Sequence, residues 1–210
     1  MRVAILGGTG SFGRALAARL VALGEDEIVI GSRDAARAQE TASELGGNAT
    51  GATNDAAVSG ADLAVLAVKA EGALETARGV GEALGTTPLL SVASDIRFEK
   101  GAGMFPDPDA YSLAERVQDV VKAPVVAGLH SIAAANLDAA PPDEDVLVCG
   151  DDAEAKALAL AFAERLVAGR ALDAGPLASA RALEGLTAVI VNLNRRYKAH
   201  TGIRVTGISR

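Results

Sequence analysis

The residues best suited to chemistry form a glycine-rich turn near the start of the chain. Gly8, Gly10 and Gly13 follow an apolar run at 3–6, which predicts a buried strand, and apolar residues at helical spacing predict a helix after them. A strand, a glycine turn and a helix in this order are typical of a dinucleotide-binding site. In such a site the pyrophosphate lies on the unpaired N–H groups at the helix start.

The end of the second predicted strand, at 27–30, indicates which dinucleotide is bound. An acidic residue there would hydrogen-bond the ribose 2′-hydroxyl of NAD(H), but this chain has Ser32 and Arg33, with Arg37 one helical turn later. Arginine and serine offer donors that suit a 2′-phosphate, so we predict NADP(H). Asp34 is the counter-evidence, because a shift of one residue would turn its carboxylate inward. A solvated serine and arginine at a helix start is the alternative.

The elements that must position these residues alternate along the chain. Further strands are predicted at 62–68, 88–92 and 123–127, with helices between them. This alternation predicts an α/β fold, namely a Rossmann-type, doubly wound, mostly parallel sheet with a small C-terminal helical part. We place an NADP-binding domain at 1–150 and a small, mostly helical domain at 151–210. The stretch 93–123 is predicted to be less regular, with a loop at 105–108.

Composition narrows the class of protein. The chain has 210 residues, half of them hydrophobic, and a formal net charge of −7, which disfavours nucleic acid as a partner. The N-terminus leads directly into a strand and no apolar run is long enough for a membrane span, so we expect a cytoplasmic protein. Cys149 lies in an apolar run, and we predict a core residue there rather than a nucleophile. Two histidines and one cysteine give no metal-ligand spacing.

Later motifs, in their order along the chain, resemble the NADPH-dependent reductases of the deazaflavin coenzyme F-420. The glycine motif is shared with many dehydrogenases, whereas the order of the later motifs is more specific. The matching segments are 7–13, 31–33, 130–132, 148–152, 173–177 and 194–207. The resemblance implies reversible hydride transfer between NADP(H) and F-420 in a homodimer. It implies no catalytic side chain, because the hydride passes directly between the two cofactors.

The resemblance also implies roles for individual residues. The glycine turn, with Gly8 and Gly13, would hold the pyrophosphate through Thr9, Gly10, Ser11 and Phe12. The 2′-phosphate would be held by Ser32, Arg33 and Arg37. Ala70 and Leu74 would lie beside the dinucleotide, and Val92 and Ala134 would flank the nicotinamide. The deazaflavin would face His130, Ser131 and Ile132.

Three departures from the family pattern fall near the implied deazaflavin pocket. The loop at 132–135 lacks a proline, Lys69 and Ala70 replace a proline and a bulky residue, and Ser94-Asp95 replaces an apolar stretch. Two other functions therefore remain open. One is an NADPH-dependent imine or carbonyl reductase of the pyrroline carboxylate reductase type, with Lys69, Ser94 or His130 as proton donor. The other is a non-catalytic NADP(H)-binding sensor.

Overall fold

The computed structural model describes residues 1–109, 111–137 and 140–208, and its centre is an eight-stranded sheet. The strands of this sheet are β1 (Arg2–Leu6), β2 (Glu27–Ser32), β3 (Ala49–Thr53), β4 (Leu63–Leu66), β5 (Leu89–Ser91), β8 (Val125–Gly128), β9 (Val146–Gly150) and β10 (Ala171–Asp173). Their order is β10-β9-β8-β5-β4-β1-β2-β3. All neighbours pair in parallel except β8 and β9, which are antiparallel. The predicted α/β fold with a mostly parallel sheet is confirmed.

Helices cover both faces of the sheet. They are α1 (Ser11–Leu23), α2 (Ala35–Leu45), α3 (Asn54–Val58), α4 (Ala70–Leu84), α5 (Leu113–Gln118), α6 (Ala134–Leu137), α7 (Ala153–Glu164) and α8 (Ala180–Tyr197). A short 3₁₀ turn at Leu177–Ser179 precedes α8. Of the helices in the described ranges, none is both long and apolar enough to cross a membrane.

The core consists of two aliphatic layers, one on each face of the sheet. Alternate residues of β1 enter different layers: Val3 and Ile5 pack with α1 and α7, whereas Ala4 and Leu6 pack with α4 and α5. Cys149 is fully buried in the second layer. Burial raises the pKa of its thiol to about 12, so the predicted role as a core residue is confirmed.

The C-terminal part continues the sheet of the N-terminal part. Strand β10 pairs in parallel with β9, and α7 packs on the face that α1 also covers. A domain boundary at residue 150 stays a prediction.

A two-stranded hairpin lies where the sequence indicated irregular structure. Strands β6 (Ile96–Glu99) and β7 (Gly103–Pro106) pair with each other outside the main sheet. The side-chain amide of Asn192 on α8 accepts from the N–H of Met104 and donates to its carbonyl, both at 2.8 Å. The guanidinium of Arg195 lies 4.9 Å from the centre of the Phe98 ring. The prediction of a loop at 105–108 was therefore wrong for its first two residues.

The stretch after α8 is bound to the sheet through one buried carboxylate. Asp145 is completely buried and accepts hydrogen bonds from Arg170 Nη2 at 2.6 Å and from the N–H of Val205 at 2.8 Å. Its own N–H donates to the carbonyl of Ile203 at 2.7 Å. The hydrogen bond from the Arg170 guanidinium is the main reason that the pKa of Asp145 is well below its ordinary value. Through these hydrogen bonds, Asp145 connects the starts of β9 and β10 to the stretch after α8, which we call the tail.

We predict that Asp145→Asn lowers the free energy of unfolding by about 3 kcal/mol at pH 7, because breaking a buried pair leaves its partner uncompensated. A carboxylate whose pKa is lower in the folded state than in the unfolded state contributes its full stabilisation above the unfolded-state pKa. This stabilisation is lost as the pH falls toward the folded-state pKa. The difference between the two proteins should therefore be constant above about pH 5 and narrow below the ordinary aspartate pKa of about 3.9. Urea unfolding across this pH range measures it.

Asp143→Asn is the matched control in the same loop. The Asp143 side chain is 78% exposed and pairs with Arg204 at 2.9 Å. An exposed pair contributes at most about 1 kcal/mol. Equal losses in the two variants would contradict the role given to Asp145.

Candidate functional site

The glycine turn joins β1 to α1 and leaves backbone donors free. The first intrahelical bond runs from the N–H of Arg14 to the carbonyl of Gly10 at 2.9 Å. The N–H groups of Ser11, Phe12 and Gly13 therefore precede it. Within the described chain, neither an acidic residue nor a capping side chain occupies this first turn. The helix start is thus suited to an anion, and its contact with a pyrophosphate stays a prediction.

Two glycines in this turn are required by close packing. Gly7 has a φ of +77°, and a Cβ there would lie 2.6 Å from Cγ1 of Val68. A Cβ at Gly13 would lie 2.7 Å from the carbonyl oxygen of Gly7. The N–H groups of Gly7 and Gly8 both donate to the carbonyl of Gly31, at 3.1 and 3.2 Å. This pairing fixes the turn beside the end of β2.

The end of β2 presents two cations. Arg33 and Arg37 are exposed, and neither forms a salt bridge with any residue in the described ranges. Asp34 caps α2, since its carboxylate accepts from the N–H groups of Ala36 at 3.0 Å and Arg37 at 3.3 Å. The Asp34 carboxylate therefore already accepts hydrogen bonds from the first turn of α2. Ser32 Oγ accepts from the N–H of Asp34 at 3.2 Å, which leaves its own O–H free to donate.

Five of the residues predicted to contact the dinucleotide are divided between the two faces of the sheet. Phe12, Val92 and Ala134 are partly buried and pack against the core layer under α1. Ala70 and Leu74, at the start of α4, pack against the opposite layer. All five follow or face the carboxyl ends of parallel strands, where α/β proteins bind ligands. Their contacts with a dinucleotide stay predictions.

His130 is held in a defined tautomer. It is 7% exposed, and its Nε2 lies 3.3 Å from the carbonyl oxygen of Ala93. A carbonyl only accepts, so Nε2 carries the proton and Nδ1 is an acceptor. Burial lowers the pKa of the ring to about 4, so His130 is neutral at neutral pH.

The loop that contains His130 is strained and buried. Leu129 has a φ of +65°, an unusual value for a residue with a branched side chain. The N–H of Ile132 donates to the carbonyl of Leu129 at 3.1 Å, and Ser131 Oγ donates to the carbonyl of Asp145 at 3.4 Å. Ser131 and Ile132 are 2% and 6% exposed. The three predicted deazaflavin residues are therefore all buried, and the side chains of His130 and Ser131 are hydrogen-bonded to backbone carbonyls.

A bridge to this loop comes from α8 and was missing from the sequence analysis. Thr187 Oγ1 donates to the carbonyl of His130 at 2.9 Å and lies 2.7 Å from Ser94 Oγ. Since the single proton of Thr187 goes to that carbonyl, Ser94 is the donor in the second bond. The two loops after β5 and β8 are thereby connected. Thr187 carries no local signal, because its partners are far away in sequence.

These features of the described residues suit a dinucleotide. One edge of the sheet has free N–H groups at α1 and free guanidinium groups at α2, which are suited to two separate phosphates. Aliphatic surface from Val92 and Ala134 lies further along this edge.

Comparison with known proteins shows similarity to NADP-dependent oxidoreductases. A family model described as "NADP oxidoreductase coenzyme F420-dependent" matches residues 2–95. An F420-dependent NADP reductase of Methanocaldococcus jannaschii is 35% identical over 99% of both chains.

Solved structures extend the likeness over the whole fold. A protein from Arthrobacter sp. FB24 is 27% identical, with a TM-score of 0.86 over 99% of this chain and all of that one. Pyrroline carboxylate reductase of Plasmodium falciparum, solved with NADP bound, is 13% identical, with a TM-score of 0.63 over 94% of this chain and 64% of that one, and shares the fold alone. Full-length identity of 35% to a curated relative shows that this chain belongs to the family of F420-dependent NADP reductases.

Proposed function

We propose that this protein transfers a hydride between NADP(H) and the deazaflavin coenzyme F-420, and that it acts in the cytoplasm, where NADP(H) is available. The observation that carries the proposal is the full-length relationship to curated F420-dependent NADP reductases. The imine reductase alternative is supported by likeness of fold only, at 13% identity, and is not favoured.

The residues at the carboxyl edge fit the dinucleotide. The N–H groups of Ser11, Phe12 and Gly13 suit its pyrophosphate, because the turn before them admits close backbone approach. The free guanidinium groups of Arg33 and Arg37 suit its 2′-phosphate. Since Asp34 already caps α2, its carboxylate does not compete for the ribose hydroxyl.

The protein's role is to hold the two coenzymes in contact, and its side chains supply no acid or base to the reaction. When bound, the two coenzymes supply the hydride donor and acceptor themselves. His130 stays neutral, because its pKa is about 4, and its ring holds the loop through Ala93. Holding two reacting groups in contact is the main way in which such a site accelerates the reaction.

Purified protein mixed with NADPH and oxidised F-420 should consume both in a one-to-one ratio, because one hydride leaves each NADPH and reduces one deazaflavin. Absorbance at the deazaflavin and nicotinamide bands follows the consumption of the two coenzymes, with NADH as the control donor. NADPH binding without any change in the deazaflavin would contradict the proposal. NADPH oxidation by a cyclic imine under those conditions would support the imine reductase reading instead.

We predict that Arg33→Ala weakens NADPH binding roughly 10- to 100-fold, the effect of losing a charge-assisted hydrogen bond worth about 1.5–3 kcal/mol. NADH lacks the 2′-phosphate, so its affinity should be unchanged. Calorimetric titration with both dinucleotides measures the ratio. Arg78→Ala on α4 is the control, since Arg78 is also exposed and lies away from β2. Equal losses for NADPH and NADH would refute the assignment of Arg33.

The outer face of α8 supports a homodimer as the working form. Val189, Leu193 and Tyr197 are 52%, 37% and 66% exposed and recur every four residues, so they share one side of the helix. An apolar side of this kind is suited to burial against a second copy.

Leu193→Glu should convert the protein from a dimer to a monomer, because it places a charge in the middle of this apolar side. Light scattering after size-exclusion chromatography measures the mass. Tyr111→Glu is the control, as Tyr111 is 64% exposed and lies outside α8. A wild-type protein that is already monomeric would overturn the dimer proposal and leave the proposed reaction intact.

A further inference from the structure

Asn54 lies next to the predicted 2′-phosphate site, although the sequence analysis did not single it out. It is the first residue of α3 and directly follows Thr53, the last residue of β3. Thr53 is the register partner of Ser32 at the end of β2. Parallel strands end at the same edge of a sheet, so Asn54 emerges beside Ser32 and Arg33.

The side chain of Asn54 is placed without serving the fold. Its Oδ1 is enclosed and accepts no hydrogen bond from the described residues. An enclosed polar atom without a hydrogen-bond partner destabilises a fold. The start of α3 does not need it, since Thr53 Oγ1 already accepts from the N–H of Ala56 at 3.4 Å.

Gly31 makes the room for this side chain. A Cβ at Gly31 would lie 2.8 Å from Asn54 Oδ1, closer than Cβ atoms approach other heavy atoms. Any larger residue at position 31 would therefore displace the Asn54 amide. With Oδ1 held against Gly31, the Nδ2 end is the accessible part, and it donates to no residue in the described ranges.

We propose that Asn54 is a specificity-determining residue whose Nδ2 donates to the 2′-phosphate of NADP(H). The inference rests on the proposed NADP(H) function and adds a neutral donor to the cations Arg33 and Arg37. An amide N–H is suited to a phosphate oxygen, whereas a carboxylate there would repel phosphate and favour the ribose hydroxyl of NAD(H). Gly31, Ser32 and Asn54 thus act together, the glycine by leaving space for the amide.

Asn54→Asp is the decisive variant, because it keeps the size of the side chain and replaces the donor by a charged acceptor. We expect it to raise the dissociation constant of NADPH roughly 30-fold or more and to leave that of NADH unchanged or lower. Asn54→Ala removes the donor without adding charge and should weaken NADPH binding about 5- to 10-fold. Calorimetry with NADPH, NADH and adenosine 2′,5′-bisphosphate gives these constants directly, and circular dichroism confirms the fold.

Gln39→Glu is the matched control for charge. Gln39 is exposed on α2, two residues beyond Arg37, and therefore points to the other side of the helix. Gln39→Glu should weaken NADPH binding less than about 3-fold, because solvent and salt screen the charge that it adds at the surface.

The outcomes separate this inference from the proposed function. A wild-type protein that binds neither dinucleotide, or prefers NADH, would overturn the NADP(H) function itself. A wild-type protein that prefers NADPH, with Asn54→Asp unchanged or no worse than Gln39→Glu, would overturn only the role of Asn54.

Discussion

Parallel pairing of β1 with its two neighbours is the constraint on which the whole site depends. In β1, Leu6 pairs with Gly31 of β2 on one side and with Leu66 of β4 on the other, so all three strands end together. The glycine turn, the arginines after β2 and the start of α4 meet at one edge for this reason. Both faces of β1 are buried, and a shift in its register would move each of these groups by a residue.

Local signals in the sequence were sufficient to propose the residues that would bind the dinucleotide. The glycine spacing after β1 and the Ser32-Arg33 pair after β2 lie within short, contiguous stretches, and their chemistry follows from residue type. The role of Asp34 was ambiguous in sequence, because a cap and a ribose ligand need the same residue at almost the same place. Only the two hydrogen bonds to the N–H groups of α2 resolve it.

The remaining features depend on partners that are distant in sequence. The hairpin β6–β7 does not pair with the main sheet. It is held to α8 by hydrogen bonds between Met104 and Asn192, which are 88 residues apart. The bridge from Thr187 to His130 spans 57 residues, and the residue type of Leu129 does not predict its positive φ. Asn54 is close to Ser32 only through strand pairing. Hydrophobic periodicity and secondary-structure propensity are local, so they do not predict contacts between residues that are distant in sequence.

The attachment of the tail to Asp145 has a consequence for folding kinetics. The hydrogen bond from Val205 closes a loop of 60 residues, and such closure costs chain entropy before any contact compensates it. Asn136 on α6 donates to Glu144 at 3.2 Å and to the carbonyl of His200 at 3.5 Å, so the short helix that begins at Ala134 is also hydrogen-bonded to the stretch after α8. We therefore expect α6 to order late during refolding and to exchange its amide hydrogens earlier than β1 does.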